Sequence, residues 1–399
     1  MERTELVVIG SGAAGLMAAL SATSSCEVVL VTDRAVGRSN TAMAQGGLQL
    51  PEDTVDSREG FVADMIASAR VPVDEPRVRA FAEAVGETVA ELIAWGLSLV
   101  TDADGEPLRR IAGGMRAPRV VNTKALIGPA LVRLLRRRLA ASSVTVLDRS
   151  PVAELMPDSD GLRVVIEGGR QLHGQRVVCC SGGITYDEAA RRGHPTSNPP
   201  NHNHALYASL TGLGLPRVEP DAFQYHPFGL LRSLKDGVGR CVPESINGFP
   251  VRLLDRDGRA LGPIRQDRYA LTRAMLAADE AGRSIEGPGG RPGFRLTLSE
   301  LPAGTLTEAF PRLHATLEGW GRAADDVLVF PFLHYQLGGF AVDLHGRTRV
   351  PGLWLAGEMV GGIHGLNRLM GNGLTDSLVH GRRAGLSASE DAREKSRAR

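Results

Sequence analysis

Residues 5–33, ELVVIGSGAAGLMAALSATSSCEVVLVTD, decide the fold that this chain is predicted to adopt. The apolar run at 5–10 is nearly continuous, as in a strand that is buried on both faces. A helical stretch and a second apolar run at 28–31 follow it. The GxGxxG pattern at the turn between the first strand and the helix completes a βαβ unit, and such units bind dinucleotides.

Each glycine of this pattern has its own task in a dinucleotide site. Gly10 makes the tight turn, Gly12 lets a pyrophosphate approach the backbone, and Gly15 allows the helix to pack on the strand. A ribose hydroxyl is held about 20 residues further on, at the polar end of the second strand. Thr32 or Asp33 is therefore the predicted ribose contact.

A second glycine-dense stretch lies near the end of the chain at 357–385, GEMVGGIHGLNRLMGNGLTDSLVHGRRAG. It begins with an acid, Glu358, and leads into a helix. A glycine loop at a helix N-terminus brings backbone amides close to a negatively polarised ligand. Arg368, inside that loop, is well placed for a carboxylate. We interpret this stretch as the place where a cofactor and a substrate meet.

Composition narrows the class of protein. The chain has 399 residues and a formal net charge of +1, which gives no electrostatic reason to bind nucleic acid or an acidic membrane surface. Its four cysteines form no CxxC pair, and His202 and His204 have no evident third ligand, so no metal site is predicted. No apolar run reaches the roughly 18 residues of a membrane span, and the early first strand leaves no room for a signal peptide. A reducing cytoplasm is the predicted location.

Periodicity and turn residues predict further elements. The expected elements are strands at 143–147, 162–166 and 176–180 and helices at 59–92 and 124–139. Thr123 is the predicted N-cap of the last of these helices. The strand at 176–180 enters Ser181-Gly182-Gly183, which fits another close pass by a dinucleotide. The polar, glycine-tipped loop at 38–47, RSNTAMAQGG, is expected to contact the same ligand.

These motifs, in this order, resemble the flavoprotein family of fumarate reductase, L-aspartate oxidase and the flavoprotein subunit of succinate dehydrogenase. NTAMAQGG is similar to the family's flavin loop, SGG to its ATGG strand end, and GE…HGLNRLMGNGL to its GE…HGANRLGGNSL signature. The resemblance implies an α/β fold, with a Rossmann-like FAD-binding domain interrupted by an α+β capping domain. The implied boundaries are 1–222 and 328–388 for the FAD-binding domain, 223–327 for the capping domain and 389–399 for a charged tail, without the family's large C-terminal helical domain.

The resemblance also implies which residues hold FAD. Glu358 would hold the ribitol, and residues 372–374 would offer backbone amides and a helix N-terminus to the pyrimidine edge of the flavin. The family's covalent flavin-linking histidine aligns with Asn40, so the FAD is expected to be noncovalent. The full implied cofactor set is Gly10, Gly12, Ala13, Ala14, Gly15, Thr32, Asp33, Asn40, Thr41, Ala44, Gln45, Gly46, Gly47, Ser181, Gly182, Gly183, Glu358, Asn372, Gly373 and Leu374.

Five further residues match the family's substrate site. The resemblance implies that Arg368 and His334 hold one substrate carboxylate and that His226 lies at the opposite carboxylate. Arg268, in RYALTR, matches the arginine that moves a proton to or from a substrate carbon, with Glu244 as its acidic neighbour. An arginine is an unusual proton donor because its guanidinium stays charged, and a carboxylate relay would make that role workable.

The chain also departs from the family at several positions of the substrate site. Pro243 and Phe228 replace threonines, Asn247 replaces an arginine of the proton relay, and Ala112 replaces the acid of the L-aspartate oxidases. Two missing hydroxyl donors would cost a carboxylate on that side about 1–3 kcal/mol each. We therefore expect a substrate with one well-held carboxylate and a less polar far end.

Three functions remain open at this stage. The first is a soluble FAD-dependent oxidoreductase that interconverts saturated and α,β-unsaturated carboxylic acids, with hydride passing between the substrate carbon and flavin N5. The second is an amino-acid oxidase of the L-aspartate oxidase type, which yields an imine and hydrogen peroxide. The third is a flavin-binding subunit or a degenerate, non-catalytic homologue. The substrate would be a small carboxylic or amino acid, and the electron partner would be oxygen, a quinone or a redox protein, without nucleic acid or membrane insertion.

Overall fold

The computed structural model describes residues 2–322 and 326–397. The strands are β1 Glu2–Ile9, β2 Val28–Val31, β3 Leu48–Gln49, β4 Val120–Val121, β5 Thr145–Leu147, β6 Val152–Asp158, β7 Gly161–Ile166, β8 Gln171–Cys179, β9 Arg217–Val218, β10 Phe223–Leu230, β11 Leu253–Leu254, β12 Ile285–Glu286, β13 Pro292–Leu296, β14 Val327–Gln336, β15 Gly339–Phe340 and β16 Leu353–Leu355. The α-helices are α1 Ala13–Ala22, α2 Asn40–Met43, α3 Val55–Ala69, α4 Glu75–Ala94, α5 Ile127–Ala140, α6 Thr185–Arg192, α7 Asn203–Gly212, α8 Arg268–Glu280, α9 Thr305–Ala309, α10 Pro311–Glu318 and α11 Asn372–Arg397.

The larger sheet has the order β5-β2-β1-β8-β7-β6, with β16 also paired to β8. Strands β1, β2, β5, β8 and β16 pair in parallel, while β6 and β7 join as an antiparallel hairpin. Val7 on the central strand pairs with Val29 on one side and Val177 on the other. Strand β2 and the second half of β1 are apolar and buried because both faces of the sheet are covered there. The predicted Rossmann-like sheet is thereby confirmed.

Helix α11 returns to the first βαβ unit and packs across α1. The contact is so close that a Cβ at Gly381 or Gly385 would lie 2.3 or 2.2 Å from the carbonyl oxygens of Ala14 and Ala18. Only glycine allows two helix backbones to approach this closely. The packing therefore carries the glycine-dense stretch at 357–385 back to the end of β1, where the GxGxxG turn lies.

A second sheet forms the core of the inserted region. Its order is β10-β14-β13-β11, with β12 paired to β13, and helix α8 packs against β10. Fully buried Phe228, Phe294 and Met275 belong to one apolar cluster between this sheet and its helices. Strand β14 runs past the predicted boundary at 327 and ends at Gln336. The inserted α+β region is thus confirmed as part of the fold, while the predicted domain boundaries stay a prediction.

Two sequence-based expectations about helix ends were wrong. Helix α5 begins at Ile127, and the Thr123 hydroxyl donates to the Ala125 carbonyl at 2.6 Å instead of capping the helix. The segment predicted as a charged tail, 389–399, is helical through Arg397, since α11 continues without a break. Ala388, Ser389 and Ala392 are buried on that helix, which explains why it continues. Residues 398 and 399 of the predicted tail lie outside the described residues.

None of the helices in the described part of the chain is both long and apolar enough to cross a bilayer.

Candidate active site

A long cleft opens where β1, β2 and β8 end at the carboxyl edge of the larger sheet. Edges of this kind bind ligands because turns and helix N-termini converge there. The predicted cofactor residues that line the cleft are Gly10, Gly12, Ala13, Ala14, Thr32, Asp33, Asn40, Thr41, Ser181, Gly182, Gly183 and Glu358. The structure therefore brings together stretches that are far apart in the sequence.

The GxGxxG turn has the geometry that its glycines predict. A Cβ at Gly15 would lie 1.8 Å from the carbonyl oxygen of Gly10, so helix and strand could not pack as they do. Above Gly12, by contrast, the nearest heavy atom to such a Cβ is 3.5 Å away, which leaves the backbone open to the cleft. The N–H of Ala13 donates to the Thr41 hydroxyl at 3.0 Å, and this bond fixes the flavin loop beside the turn.

Of the two candidates for the ribose, Asp33 is better placed than Thr32. The Thr32 hydroxyl is buried and shares a hydrogen bond of 2.8 Å with Ser11. The Asp33 carboxylate is partly exposed at the cleft and lies 3.3 Å from Arg34. The geometry therefore favours Asp33 over Thr32 as the residue that contacts the ribose.

Glu358 is a half-buried carboxylate that lines the cleft. Its Oε1 accepts hydrogen bonds from the backbone N–H of Gln336 at 3.0 Å and from the Thr185 hydroxyl at 3.1 Å. Burial raises the pKa of this carboxyl group. A Cβ at Gly183 would lie 2.7 Å from Oε1, so the SGG strand end must pass close to it. Both bonds use Oε1, which leaves Oε2 for a hydroxyl of a cofactor.

The start of α11 forms the far end of the cofactor site. Asn372 is completely buried, and neither its Oδ1 nor its Nδ2 has a hydrogen-bond partner among the described residues. A buried amide without partners points to a polar ligand, because such groups are costly to leave unsatisfied. The N–H groups of the first turn, at Gly373 and Leu374, are free of helical partners for the same ligand.

The AQGG part of the flavin loop lies between α5 and α11. Its Ala44 carbonyl accepts from the N–H of Gly128 at 3.1 Å, and a Cβ at Gly46 would contact Met370 at 3.3 Å. Gly47 has a φ of +88°, and a Cβ there would lie 2.5 Å from the Val121 carbonyl oxygen. Only glycine therefore fits at this position. Residues 44–47 therefore connect the GxGxxG side of the cleft to the glycine loop before α11.

The predicted substrate residues converge beside this end of the cofactor site. The rings of His226 on β10 and His334 on β14 meet edge to face, with centroids 5.2 Å apart. The guanidinium of Arg368 is buried and stacks 4.3 Å from the centroid of the Tyr335 ring. Its Nε has no hydrogen-bond partner within the described part of the structure. The cluster thus holds a buried cation with an unsatisfied donor.

Arg268 completes the cluster from the inserted region. Its Nε donates to Glu244 Oε2 at 2.6 Å, and its Nη1 donates to Gln224 Oε1 at 3.2 Å. Gln224 in turn donates through Nε2 to the backbone carbonyl of Arg368 at 3.0 Å and to Asn367 Oδ1 at 3.1 Å. One glutamine therefore connects the two arginines, which come from different parts of the fold.

The electrostatics of the cluster favour an anionic ligand. Burial, followed by the nearby charge of Arg268, holds the pKa of both His226 and His334 well below the usual value, so both rings are neutral near pH 7. Burial and the same neighbour lower the pKa of Arg368 to about 10. Two guanidinium groups and one carboxylate, Glu244, then leave an excess of positive charge. A carboxylate would satisfy that charge and the free donor of Arg368.

Sequence reasoning missed several polar residues of this cluster. No role was predicted for Gln224, Tyr335 or Asn198, because their contacts join segments that are far apart in the sequence. Ser197 shares a hydrogen bond of 2.7 Å with His334 Nδ1, and Asn198 donates to the His334 carbonyl at 2.7 Å. Asn198 also accepts from Asn40 Nδ2, which joins the substrate cluster to the flavin loop.

The departures from the family pattern occupy distinct environments. Phe228 is fully buried in the apolar cluster of the inserted region, and Pro243 precedes the short turn that begins at Glu244. Asn247 Oδ1 is buried and unpaired with respect to the described residues. Ala112 is half-buried in the glycine loop, and its carbonyl accepts from the N–H of Met115 at 3.2 Å.

His202 and His204 take no part in the cluster of arginines and histidines. His202 lines the cleft beside Asn203, and the His204 side chain is exposed. Within residues 2–322 and 326–397, no group of three or more His, Cys, Asp or Glu side chains lies close enough together to hold a metal ion.

Comparison with known proteins adds three findings. The family model described as "FAD binding domain" matches residues 5–374. The chain is 29% identical to L-aspartate oxidase of Streptomyces coelicolor over 95% of this chain and 67% of that protein. It is 26% identical to one subunit of the CoM/CoB fumarate reductase of Methanothermobacter marburgensis, over 98% of this chain and 74% of that protein.

The fold is similar to that of a solved quinol fumarate reductase from E. coli. The TM-score is 0.89 at 24% identity, over 98% of this chain and 71% of that one. The chain spans 61–74% of the length of the curated relatives that it matches.

Proposed function

The chain belongs to the family of FAD-binding domains that contains L-aspartate oxidases and fumarate reductases, and from that premise we propose a reaction for it. The proposed protein is an oxidoreductase that interconverts a saturated and an α,β-unsaturated carboxylic acid with bound FAD. One observation carries the proposal: two buried arginines, bridged by Gln224, act on two neutral histidines beside the cofactor site.

The residues around the cleft fit FAD in shape and in donor chemistry. The open backbone at Gly12 suits a pyrophosphate, Asp33 and Glu358 suit ribose and ribitol hydroxyls, and the unpaired amide of Asn372 suits the polar edge of a flavin. When bound, FAD supplies an acceptor or donor of hydride equivalents. The N-terminus of α11 would stabilise negative charge on that edge through its dipole and free N–H groups.

Arg368 and His334 are proposed to hold one carboxylate of the substrate. Arg368 offers a free Nε and is held in place by Tyr335, while Ser197 fixes the orientation of the His334 ring. Holding the carboxylate by two groups orients the neighbouring carbon–carbon bond. Positive charge at that carboxylate also makes the adjacent carbon–hydrogen bond more acidic.

Arg268 is proposed to move the proton at the second carbon. In the reductive direction its guanidinium gives a proton to carbon, and the resulting neutral arginine takes a proton back from solvent through Glu244, which is bonded to Arg268 Nε at 2.6 Å. The reverse direction moves the proton from carbon to the arginine and on to the carboxylate. This short contact with Glu244 supports the assignment, since a carboxylate at hydrogen-bond distance can receive protons from Arg268 and return them to it.

Oxidation of an amino acid is a second candidate, because the matched relatives include L-aspartate oxidases. An α-ammonium group would meet Arg268 and Arg368 in this pocket. The one carboxylate that faces them among the residues described above, Glu244, is already paired, and Ala112 offers no charge. We therefore rank the amino acid below the plain carboxylic acid. A non-catalytic flavin-binding role is the third candidate, suggested by Pro243 and Asn247. The electron partner and a cytoplasmic location stay predictions.

The test is to mix the purified yellow protein with candidate acids and follow the flavin absorbance. We expect reoxidation of the reduced protein by fumarate or by an α,β-unsaturated monocarboxylic acid such as crotonate. Bleaching with peroxide release on L-aspartate would instead establish the second candidate. A protein whose flavin responds to none of these acids would fit the third.

A further inference from the structure

The first turn of α8 carries Arg268, and Arg70 at the end of α3 contacts this turn. Asp267 is the N-cap of α8, and its Oδ1 accepts from the N–H of Ala270 at 2.9 Å. Its Oδ2 forms an ion pair with Arg70, whose guanidinium also lies 5.7 Å from the centroid of the Tyr269 ring. Arg70 therefore contacts the residues on both sides of Arg268.

The end of helix α3, where Arg70 lies, is bonded to the loop that carries Arg368. Arg70 ends helix α3 in the left-handed region with a φ of +66°, which is uncommon for arginine and must be held by its surroundings. The carbonyl of Ala69 accepts from the N–H of Leu366 at 2.7 Å. Asn367 Nδ2 donates to the hydroxyl of Ser68 at 2.7 Å. The end of α3 thus contacts the supports of both arginines.

A glycine loop leaves room for this contact. A Cβ at Gly113 would lie 3.0 Å from the Gln266 carbonyl, and one at Gly114 would lie 3.7 Å from Cβ of Asp267 and 3.2 Å from Leu369. A side chain at Gly113 would therefore press against the backbone just before α8, and one at Gly114 would press against Leu369. The basic glycine loop is therefore part of the same junction between the inserted region and the FAD-binding region.

We propose that Arg70 is a positioning residue for Arg268, which it holds in the substrate cluster through Asp267 and Tyr269. The inference rests on the proposed function only for the role of Arg268. An ion pair of this exposure, with 42% of the Arg70 side chain accessible, adds little to the stability of the fold. Its effect would lie in the placement of the first turn of α8, where small displacements change rates strongly.

The first test compares Arg70→Ala and Asp267→Asn in the full-length, FAD-loaded protein. Asparagine keeps the N-cap of α8 but removes the charge that pairs with Arg70. Each variant is expected to lower kcat roughly fivefold, the factor that a partly exposed ion pair supplies, with KM and FAD content nearly unchanged. The double variant should be no worse than either single variant, and Arg70→Lys should recover part of the rate.

The matched control is Arg79→Ala, which removes an arginine of similar exposure that pairs with Glu59 and Glu75. It is expected to leave kcat unchanged. Equal losses in both alanine variants, or additive losses in the double variant, would overturn the proposal.

A second measurement does not depend on turnover. Amide hydrogen exchange across residues 267–271 is expected to speed up in Arg70→Ala and to stay as in the wild type in Arg79→Ala. Unchanged exchange in Arg70→Ala overturns the positioning role. If the wild-type protein turns over none of the acids, the proposed reaction fails while the exchange comparison still decides whether Arg70 holds α8.

Discussion

Arg268 is held at two of its three guanidinium nitrogens. Nε bonds to Glu244 and Nη1 to Gln224, so Nη2 is the nitrogen left to face a substrate. The side chains of Arg268 and Glu244 are 8% and 7% exposed, and each therefore compensates the buried charge of the other. This mutual dependence distinguishes the pair from the many ion pairs on the surface, which contribute little.

We predict that Arg268→Ala abolishes turnover and leaves FAD bound, because Arg268 does not line the cofactor cleft. The variant should also lose about 3–5 kcal/mol of stability, since it leaves the Glu244 carboxylate buried and unpaired. Arg268→Lys, the control, keeps the charge but cannot reproduce both bonds of the guanidinium, so it should retain FAD and recover stability better than rate. Flavin absorbance, thermal unfolding and steady-state turnover check these outcomes. Undiminished turnover in Arg268→Ala would rule out its role in proton transfer.

At the scale of elements, the parts of the site built from local backbone shape were predictable. Glycine spacing predicted where the backbone turns or approaches a ligand at three places: the turn at 10–15, the strand end at 181–183 and the helix start at 372–374. The contacts of Gln224 and Ser197 were not predictable, because they depend on how distant strands and loops pack against β14. The continuation of α11 was missed for the same reason: its charged sequence suggested a solvated tail, while its alanines are buried against the rest of the fold.

The close packing of α1 on β1 at Gly15 can be tested by substitution. Gly15→Ala should destabilise the protein by more than about 2 kcal/mol and abolish FAD binding, since the new Cβ would lie 1.8 Å from the Gly10 carbonyl. Gly86→Ala is the matched control: Gly86 lies inside helix α4, and a Cβ there would meet nothing within 4 Å. This control should be neutral or more stable by up to about 1 kcal/mol, because alanine favours helices. Normal FAD content in Gly15→Ala would show that the helix can move away from the strand.

At the scale of the whole molecule, the substrate cluster combines side chains of the inserted region with the glycine loop before α11. The second sheet contributes His226 and His334 from β10 and β14, the glycine loop before α11 contributes Arg368, and helix α8 contributes Arg268. Folding therefore places two uncharged histidines within the electrostatic influence of two guanidinium groups. The stability of the entire protein should for this reason depend on pH through residues that belong to the site.

We predict that the FAD-loaded protein loses stability as the pH falls below about 6.5, the pKa of histidine in an unfolded chain. Burial and Arg268 hold the pKa of His226 well below that value. Below about pH 6.5 the unfolded chain therefore binds a proton at His226 that the folded protein does not bind. The stability that His226 contributes is present above pH 6.5, and its loss should reach about 1.4 kcal/mol per pH unit below it. Chemical denaturation between pH 7.5 and pH 5 measures how the unfolding midpoint depends on pH. His226→Gln should make this dependence less steep, whereas His345→Gln, at an exposed position, should not change it. A bound carboxylic acid should flatten it as well, because an anion between the arginines makes protonation of the histidine less costly. An equally steep dependence in the His226→Gln variant would assign the effect to other groups.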